Sequence, residues 1–547
     1  MYRIVSLLAI LALPLAAADE PLIPPVQPEI PISLPASGPM LPLLFTAPWD
    51  TNALADSLDV SPPPDGALFV ARAAGPESSV VILTYNYYYN SSWYCRISTS
   101  KNSGKTYTPR TIRNGYWVDD CVHGNTRDTV YHVSINNGSN YHLFLQRSFN
   151  AGDSWGDTIR IDRGTSTFTD KPMTASRDSC VYVTYTDFTG SNHPIRICVS
   201  TDYGATWNNG DINVTTSNGQ GSCPAVSPNG DVYVVWGQPA SWVPTSLWFN
   251  RSTDLGFTWG TPFQIDTIDT APHMYRWRAN HSFPAMEVDS SGKIYVTVQN
   301  RLHGQGYDVA VYTSTDAGAT WNGPYQVNDD SVLDSDQYCS WITIDRFNRP
   351  HVFWYDNRNY YPDSIGDVYY SWSEDGGETW QPNEQVNDVS PCWGYQSKSM
   401  MGDYQQIRCD TNYVYCQWSD HRNGRHSWSY IAAARRPLPP YVGVSEEKPE
   451  PSRWQQSRFL LQPSRPNPVV RGTTISFELE QAGDVSLGVY DLAGDLVKTL
   501  IRGSRQAGQA DVYWNRTDDS DRPVASGVYF CRLIAEGSSV SRKLVVR

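Results

Sequence analysis

At 547 residues the chain is too long for one ordinary core, and its length predicts two to four domains unless a repeat fold absorbs much of it. Its 20 Trp and 34 Tyr favour strands over helices, and its 39 Gly and 38 Pro suit many short turns. A formal charge of −14 excludes general nucleic-acid binding, because neutralising phosphates needs an excess of Lys and Arg.

Residues 1–18 read as a secretory signal peptide. Arg3 supplies the positive start, Ile4 to Leu15 the short apolar run, and Ala16-Ala17-Ala18 the small-residue cleavage site. The run is shorter than a membrane span, and no other long apolar stretch follows. The mature chain is therefore expected to carry no transmembrane segment. Residues 19–53 hold prolines from Pro21 to Pro48 and read as an extended spacer. Its end, near Leu44–Ala53, could supply a ring-closing strand.

From residue 54 to residue 436 an eight-residue pattern recurs, Ser-x-Asp-x-Gly-x-Thr-Trp. It is clean at Ser200–Trp207, Ser252–Trp259, Ser314–Trp321 and Ser373–Trp380, with Asp202, Asp254, Asp316 and Asp375 in the acidic position. Two earlier copies, Ser100–Tyr107 and Ser148–Trp155, carry Asn102 and Asn150 there. The spacing of about fifty residues predicts one four-stranded unit per copy. Each copy is a turn between the third and fourth strands: the Asp or Asn accepts local backbone N–H groups, the Gly takes a positive φ, and the Trp plugs the turn. These six residues are read as structural. Runs such as Pro224–Trp236, Pro284–Val298 and Ser340–Trp354 supply the first two strands of a unit, joined at turns such as Asn229-Gly230 and Ser291-Gly292. A seventh unit, Gly402–Ile431, has three strands and no box. Full closure removes sheet edges, so a strand from the N-terminal side is expected to complete it. The fold class is all-β: a seven-bladed (alternatively six-bladed) Asp-box β-propeller over residues 54–436, followed by a small Ig-like β-sandwich. A Pro- and Glu-rich linker spans 437–457, and the sandwich spans 458–547.

Ten cysteines are compatible with export and disulfides. Cys180 with Cys198, and Cys409 with Cys416, are candidate pairs. Only Cys531 lies in the C-terminal domain, so at least one thiol is expected to be free unless a bridge crosses domains. The sequence has no CxxC spacing and so suggests no zinc site.

The boxes resemble those of the sialidase (neuraminidase) superfamily of BNR-repeat proteins. The tail resembles the sorting domain of type IX secretion cargo, which is related to the Ig-like domain of flagellar hook-capping proteins. The matching segments are Pro466-Asn467-Pro468, Ile475-Ser476-Phe477, Val489–Gly494, Trp514, Ser526-Gly527-Val528-Tyr529 and Lys543–Arg547. The second resemblance implies a Gram-negative host, passage across the outer membrane by secretion machinery that reads the tail, and surface attachment or release.

Ligand loops are sought on the face opposite the boxes. Arg301, Arg358 and Arg422 follow the second strands of three consecutive units and could converge on a carboxylate. The sialidase resemblance implies such an arginine triad. Asp356 and Asp420 can instead pair with their own arginines and brace the loops. Carboxylates recur where first strands begin: Asp119, Asp120, Asp170, Asp336 and Asp403. One could act as general acid, with Tyr338 or Tyr404 as nucleophile and Glu287 to activate it. The Arg-Ile-Pro motif of sialidases is absent. Arg276, Trp277 and Arg278, with Tyr87, Tyr88, Tyr89 and Trp93, suit stacking on sugars or protein contacts. No cofactor is expected save calcium, which Asp329, Asp330, Asp334 and Asp336 could ligate through oxygen. The functional expectation is an exported recognition propeller for extracellular glycans or protein partners. The alternatives are an exo-acting glycoside hydrolase of sialidase type and a structural surface module.

Overall fold

The computed structural model describes residues 49–54, 66–71, 79–89, 92–114, 117–124, 128–136, 140–162, 164, 166–208, 212–239, 244–269, 283–303, 306–332, 334–360, 366–388, 405–420, 430–439, 459–462, 464, 467, 469–479, 481–491, 496–535 and 538–546. The signal segment 1–18, nearly all of the proline-rich spacer and most of the linker lie outside them.

Seven four-stranded antiparallel sheets follow one another between Asp50 and Pro437 among the described residues. The first six each take four strands in sequence order. The last is built from Gln406–Cys409, Tyr413–Asp420 and Tyr430–Pro437, and it takes its outer strand from Asp50–Leu54. There Asp50 lies opposite Arg435 and Leu54 opposite Ala432. The first strand of each sheet lies against the first strand of the next, and Gln406–Cys409 lies against Gly66–Ala71. That circuit of contacts is closed. The first strands are therefore the inner ones, and the arrangement is that of a propeller.

Sheets stacked face to face bury both faces of their middle strands. Ile294–Asn300 and Pro350–Asp356 are buried at every residue, whereas the outer strand Asn322–Gln326 opens on three exposed ones. Such strands need large apolar side chains on both faces, which is where the tryptophans go. Trp236, Trp354 and Trp418, in the second strands of the fourth, sixth and seventh sheets, are fully buried.

The recurrent eight-residue turn has one geometry throughout. Its Ser hydroxyl donates to the Asp or Asn Oδ1 at 2.7–2.9 Å and accepts the N–H of the box glycine at 2.8–2.9 Å. The same Oδ1 accepts the N–H four residues on at 2.8–3.0 Å. Two successive residues are left-handed, for example Tyr203 at φ 60° and Gly204 at φ 73°. The box indoles of Trp155, Trp207, Trp259 and Trp321 donate to the glycine carbonyl at 3.1 Å. Cations of the preceding sheet then latch the turn. Arg110 donates to Gly152 O, Arg147 to Tyr203 O and Lys293 to Gly376 O. Arg435 of the seventh sheet donates to Ser103 O of the first, across the closure of the ring.

The C-terminal domain is a separate pair of sheets. Phe459–Leu461, Thr473–Leu479 and Gly508–Trp514 form one, and Leu496–Arg505, Gly483–Tyr490, Gly527–Ala535 and Ser538–Val546 form the other. Burial alternates along Thr473–Leu479, as one inward face requires. Trp514 is fully buried in the core with Phe477, Leu487 and Leu533, and its indole donates to Thr517 O at 2.9 Å.

Neither candidate disulfide forms: Cys180 is not bridged to Cys198, nor Cys409 to Cys416. Cys198 lies opposite Val183 rather than Cys180, and Cys409 lies opposite Val414 rather than Cys416. The offsets of two or three residues amount to about 7–10 Å of strand, beyond the reach of a bridge.

Candidate functional site

The antiparallel order puts the start of every inner strand, the end of every second strand and the intervening loops on the face opposite the boxes. At that face four inner strands carry a bulge. Their register skips between Val118 and Cys121, Asp170 and Met173, Gln220 and Cys223, and Tyr338 and Trp341. The residue in the left-handed region is Asp119, Lys171, Gly221 and Cys339 respectively, at φ 53–64°. An extra residue on one strand re-aims the side chains that follow it. The bulges bring the Lys171 ammonium 3.7 Å from the Asp119 carboxylate, with both side chains about nine-tenths buried. Lys171 also lies over the Phe283 ring at 6.0 Å. Gly221 is glycine for a steric reason as well as for its φ, since a Cβ there would sit 1.9 Å from Phe283.

Below this mouth the inner strands enclose a cavity of about 160 Å³, whose walls include Cys121, His123, Ser176, Cys223, Glu287 and Arg408. Ligand pockets for drug-sized molecules run to roughly 300–1,000 Å³. Glu287 of the fifth sheet and Arg408 of the seventh form an ion pair. Burial raises the Glu287 carboxyl above its usual value, against the pull of Arg408. Burial, and then Arg408, push the His123 imidazole down to about 3. Burial lifts the Cys223 thiol to about 12 and raises that of Cys121. At neutral pH these walls therefore offer neutral imidazole and protonated thiols.

In the expected arginine rim, Arg301 and Arg358 are each held by carboxylates. Arg358 is held by Asp356 at 2.8 Å, Asp329 at 2.7 Å and Asn383 at 2.8 Å, with its guanidinium 4.3 Å from the centroid of the Tyr369 ring. Burial opposes its charge, but Asp356 and Asp329 outweigh burial and hold it protonated above the usual range. Arg301 pairs with Asp269 at 3.1 Å. The two also differ in register. Arg301 directly follows the strand ending at Asn300, whereas Arg358 stands two residues beyond the strand ending at Asp356. Arg422, Arg276, Arg278, Asp403 and Tyr404 lie outside the described residues.

The described catalytic candidates stand at the inner strands of the third, fifth and sixth sheets. Asp336 is buried and accepts the N–H of Tyr307 at 3.1 Å, while its own N–H donates to Asn357 at 2.6 Å. Tyr338 is buried with its ring 5.7 Å from Tyr355. Asp170 is buried at the start of the third sheet, and Glu287 faces Arg408 in the lumen. In the acidic stretch considered for calcium, Asp329 is bound to Arg358 and Asn383, and Asp330 accepts from Asn328 at 2.7 Å and Ser335 at 2.6 Å.

The sequence reading missed a row of half-buried aromatics on the same face. Tyr141, Phe168, Phe188 and His193 follow one another with ring centroids 4.7, 5.5 and 4.6 Å apart. Each stands at the start or end of a strand of the second or third sheet. The four residues come from four separate stretches of chain, so no local motif announces them.

Residues 467–538 match the family model of the FlgD Ig-like domain. No curated protein matches the chain. Among solved structures, a protein of unknown function from Dyadobacter fermentans is 12% identical over 64% of this chain and 95% of its own, with a TM-score of 0.34. An alpha-L-arabinanase from Penicillium chrysogenum, complexed with arabinobiose, is 12% identical over 70% of this chain and 98% of its own, with a TM-score of 0.40. A Hadza microbial sialidase is 12% identical over 66% of this chain and 74% of its own, with a TM-score of 0.37. At such identities and TM-scores no activity carries over to this chain. No helix among the described residues is long and apolar enough to cross a membrane.

Proposed function

We propose that this chain is an exported seven-bladed propeller that recognises an extracellular glycan or protein partner without turning it over. In this reading the C-terminal Ig-like domain serves type IX export and surface attachment in a Gram-negative bacterium. The observation that carries the recognition reading is the aromatic row Tyr141–Phe168–Phe188–His193 on the loop face. Half-buried rings on a rigid frame offer apolar contact at little entropic cost, which suits the faces of sugar rings or a protein anchor. An ionisable group beside them is committed to a neighbour, as Asp187 next to Phe188 is to Arg196. The purified chain should release no fluorophore from sialoside or arabinofuranoside reporters. It should bind members of a glycan array or a displayed protein library, and Phe188→Ala should weaken that binding about tenfold, one ring contact. Turnover that disappears in Glu287→Gln would instead establish the hydrolase reading, which the raised carboxyl of Glu287 favours.

A further inference from the structure

We infer that Cys95, Asp120 and His132 form a buried structural site for a thiophilic divalent cation of the zinc class, clamping the first sheet to the second. Cys95 lies on the third strand of the first sheet, and Asp120 and His132 lie on the first two strands of the second. Their ligand atoms lie within 4.8 Å of one another, and all three residues are buried. Asp120 Oδ1 stands 2.6 Å from Cys95 Sγ and 3.2 Å from His132 Nε2, and Sγ stands 3.9 Å from Nε2. Asp120 Oδ2 is buried and has no hydrogen-bond partner among the described residues. A carboxylate oxygen left so in the interior is costly unless a cation meets it.

The geometry fits a small tetrahedral ion. Bonds of about 2.3 Å to sulfur and about 2.0–2.1 Å to nitrogen and oxygen place tetrahedral donors roughly 3.3–3.6 Å apart. The Nε2–Oδ1 and Sγ–Nε2 separations lie close to that range, and the Sγ–Oδ1 pair opens by about an ångström. Thiolate, imidazole and the Asp120 carboxylate supply the protein donors, and with all three residues buried no position opens to a substrate. Soft sulfur and imidazole select zinc over calcium or magnesium. On binding, the Cys95 thiol releases its proton to solvent and the sulfur takes the metal. Thiolate, carboxylate and dication then sum to zero charge, which a dry interior tolerates. The bulge at Asp119 aims Asp120 back into this layer while Asp119 faces the channel mouth. The Trp155 ring lies edge-on to His132 at 6.0 Å.

Because the site is closed, the ion enters during folding. The full chain, refolded from denaturant with zinc and then freed of excess metal, should hold one zinc per chain by elemental analysis. Refolding in chelator should lower its thermal midpoint. X-ray absorption of the zinc-loaded wild type should show one sulfur with nitrogen and oxygen neighbours, and a cobalt-loaded sample should show a thiolate charge-transfer band. Cys95→Ser should abolish that band and reduce bound metal at least tenfold, with an unchanged β-sheet circular-dichroism spectrum. The proposal is overturned if the refolded wild type retains less than a tenth of an equivalent, if its zinc has no sulfur neighbour, or if Cys95→Ser binds equally well. The absorption measurement needs no variant, so a Cys95→Ser chain that failed to fold would leave the proposal open to refutation.

Discussion

The first two boxes and the four that follow fold the same turn with opposite hydrogen-bond polarity. In the Asn boxes the side-chain amide donates: Asn102 Nδ2 to Thr106 Oγ1, and Asn150 Nδ2 to Ser154 Oγ, both at 2.9 Å. In the Asp boxes the carboxylate accepts from the hydroxyl: Asp202, Asp254, Asp316 and Asp375 take Thr206, Thr258, Thr320 and Thr379 at 2.5–2.8 Å. The Ser hydroxyl, the left-handed glycine and the N–H to Oδ1 bond are common to both kinds. The lock therefore resides in those shared parts, and the charge is an addition to it. Hydroxyls rotate to suit either neighbour, which is why the exchange is tolerated.

The sharpest break in this comparison concerns the glycines. Gly318 has φ 87°, and a Cβ there would meet the Phe249 ring of the preceding sheet at 2.2 Å. Gly318→Ala should cost about 2–5 kcal/mol, combining backbone strain with overpacking. Gly104 has φ 79° but tightest contacts of 3.2–3.3 Å, so Gly104→Ala should cost only the strain, about 1–3 kcal/mol. Equal losses in urea denaturation would show that the box does not gain by packing on its neighbour. Next in size, Ser148→Ala and Ser200→Ala each strip the acceptor from a buried glycine N–H and should cost about 1–3 kcal/mol alike. A much larger loss in the Asp box would place the lock in the charge after all.

The smallest effect is the acid limb. Bonds from the Thr320 hydroxyl and N–H hold Asp316 down to about 2, against an ordinary 3.8. Burial opposes the same shift at Asp202 and Asp375, where the Thr206 and Thr379 bonds outweigh it. A depressed folded value gives stability that is complete above the unfolded value and lost as pH falls through the folded one. Asp316→Asn should change stability little at pH 7. It should flatten the loss of the unfolding midpoint between about pH 4 and pH 2. An acid limb as steep as that of the wild type would remove the charge from the account.

Different parts of the molecule were legible to different degrees. Every partner of Asp202 in the turn lies between Ser200 and Thr206, so the box is written in adjacent residues. The alternation in Thr473–Leu479 is equally local. The latch is not: Arg147 meets Tyr203 O from 56 residues away. Arg301 and Arg358 looked equivalent as motifs, but their positions relative to the strand end differ by one residue, and each has its own acidic partner. The paired cysteines failed for the same reason, since a hairpin fixes which residues face each other and the text of the sequence does not.

What the sequence determined by itself is the set of short-range instructions: turn chemistry, strand alternation, the repeat interval of about fifty residues and the composition of a dry interior. Tertiary structure alone decided that Glu287 meets Arg408, that Asp119 and Asp120 serve different layers, and that four aromatics line up on one face. The physical reason is that a bulge of one residue reverses where a side chain points. Closure of the ring then sets side by side residues whose separation along the chain carries no trace of their meeting.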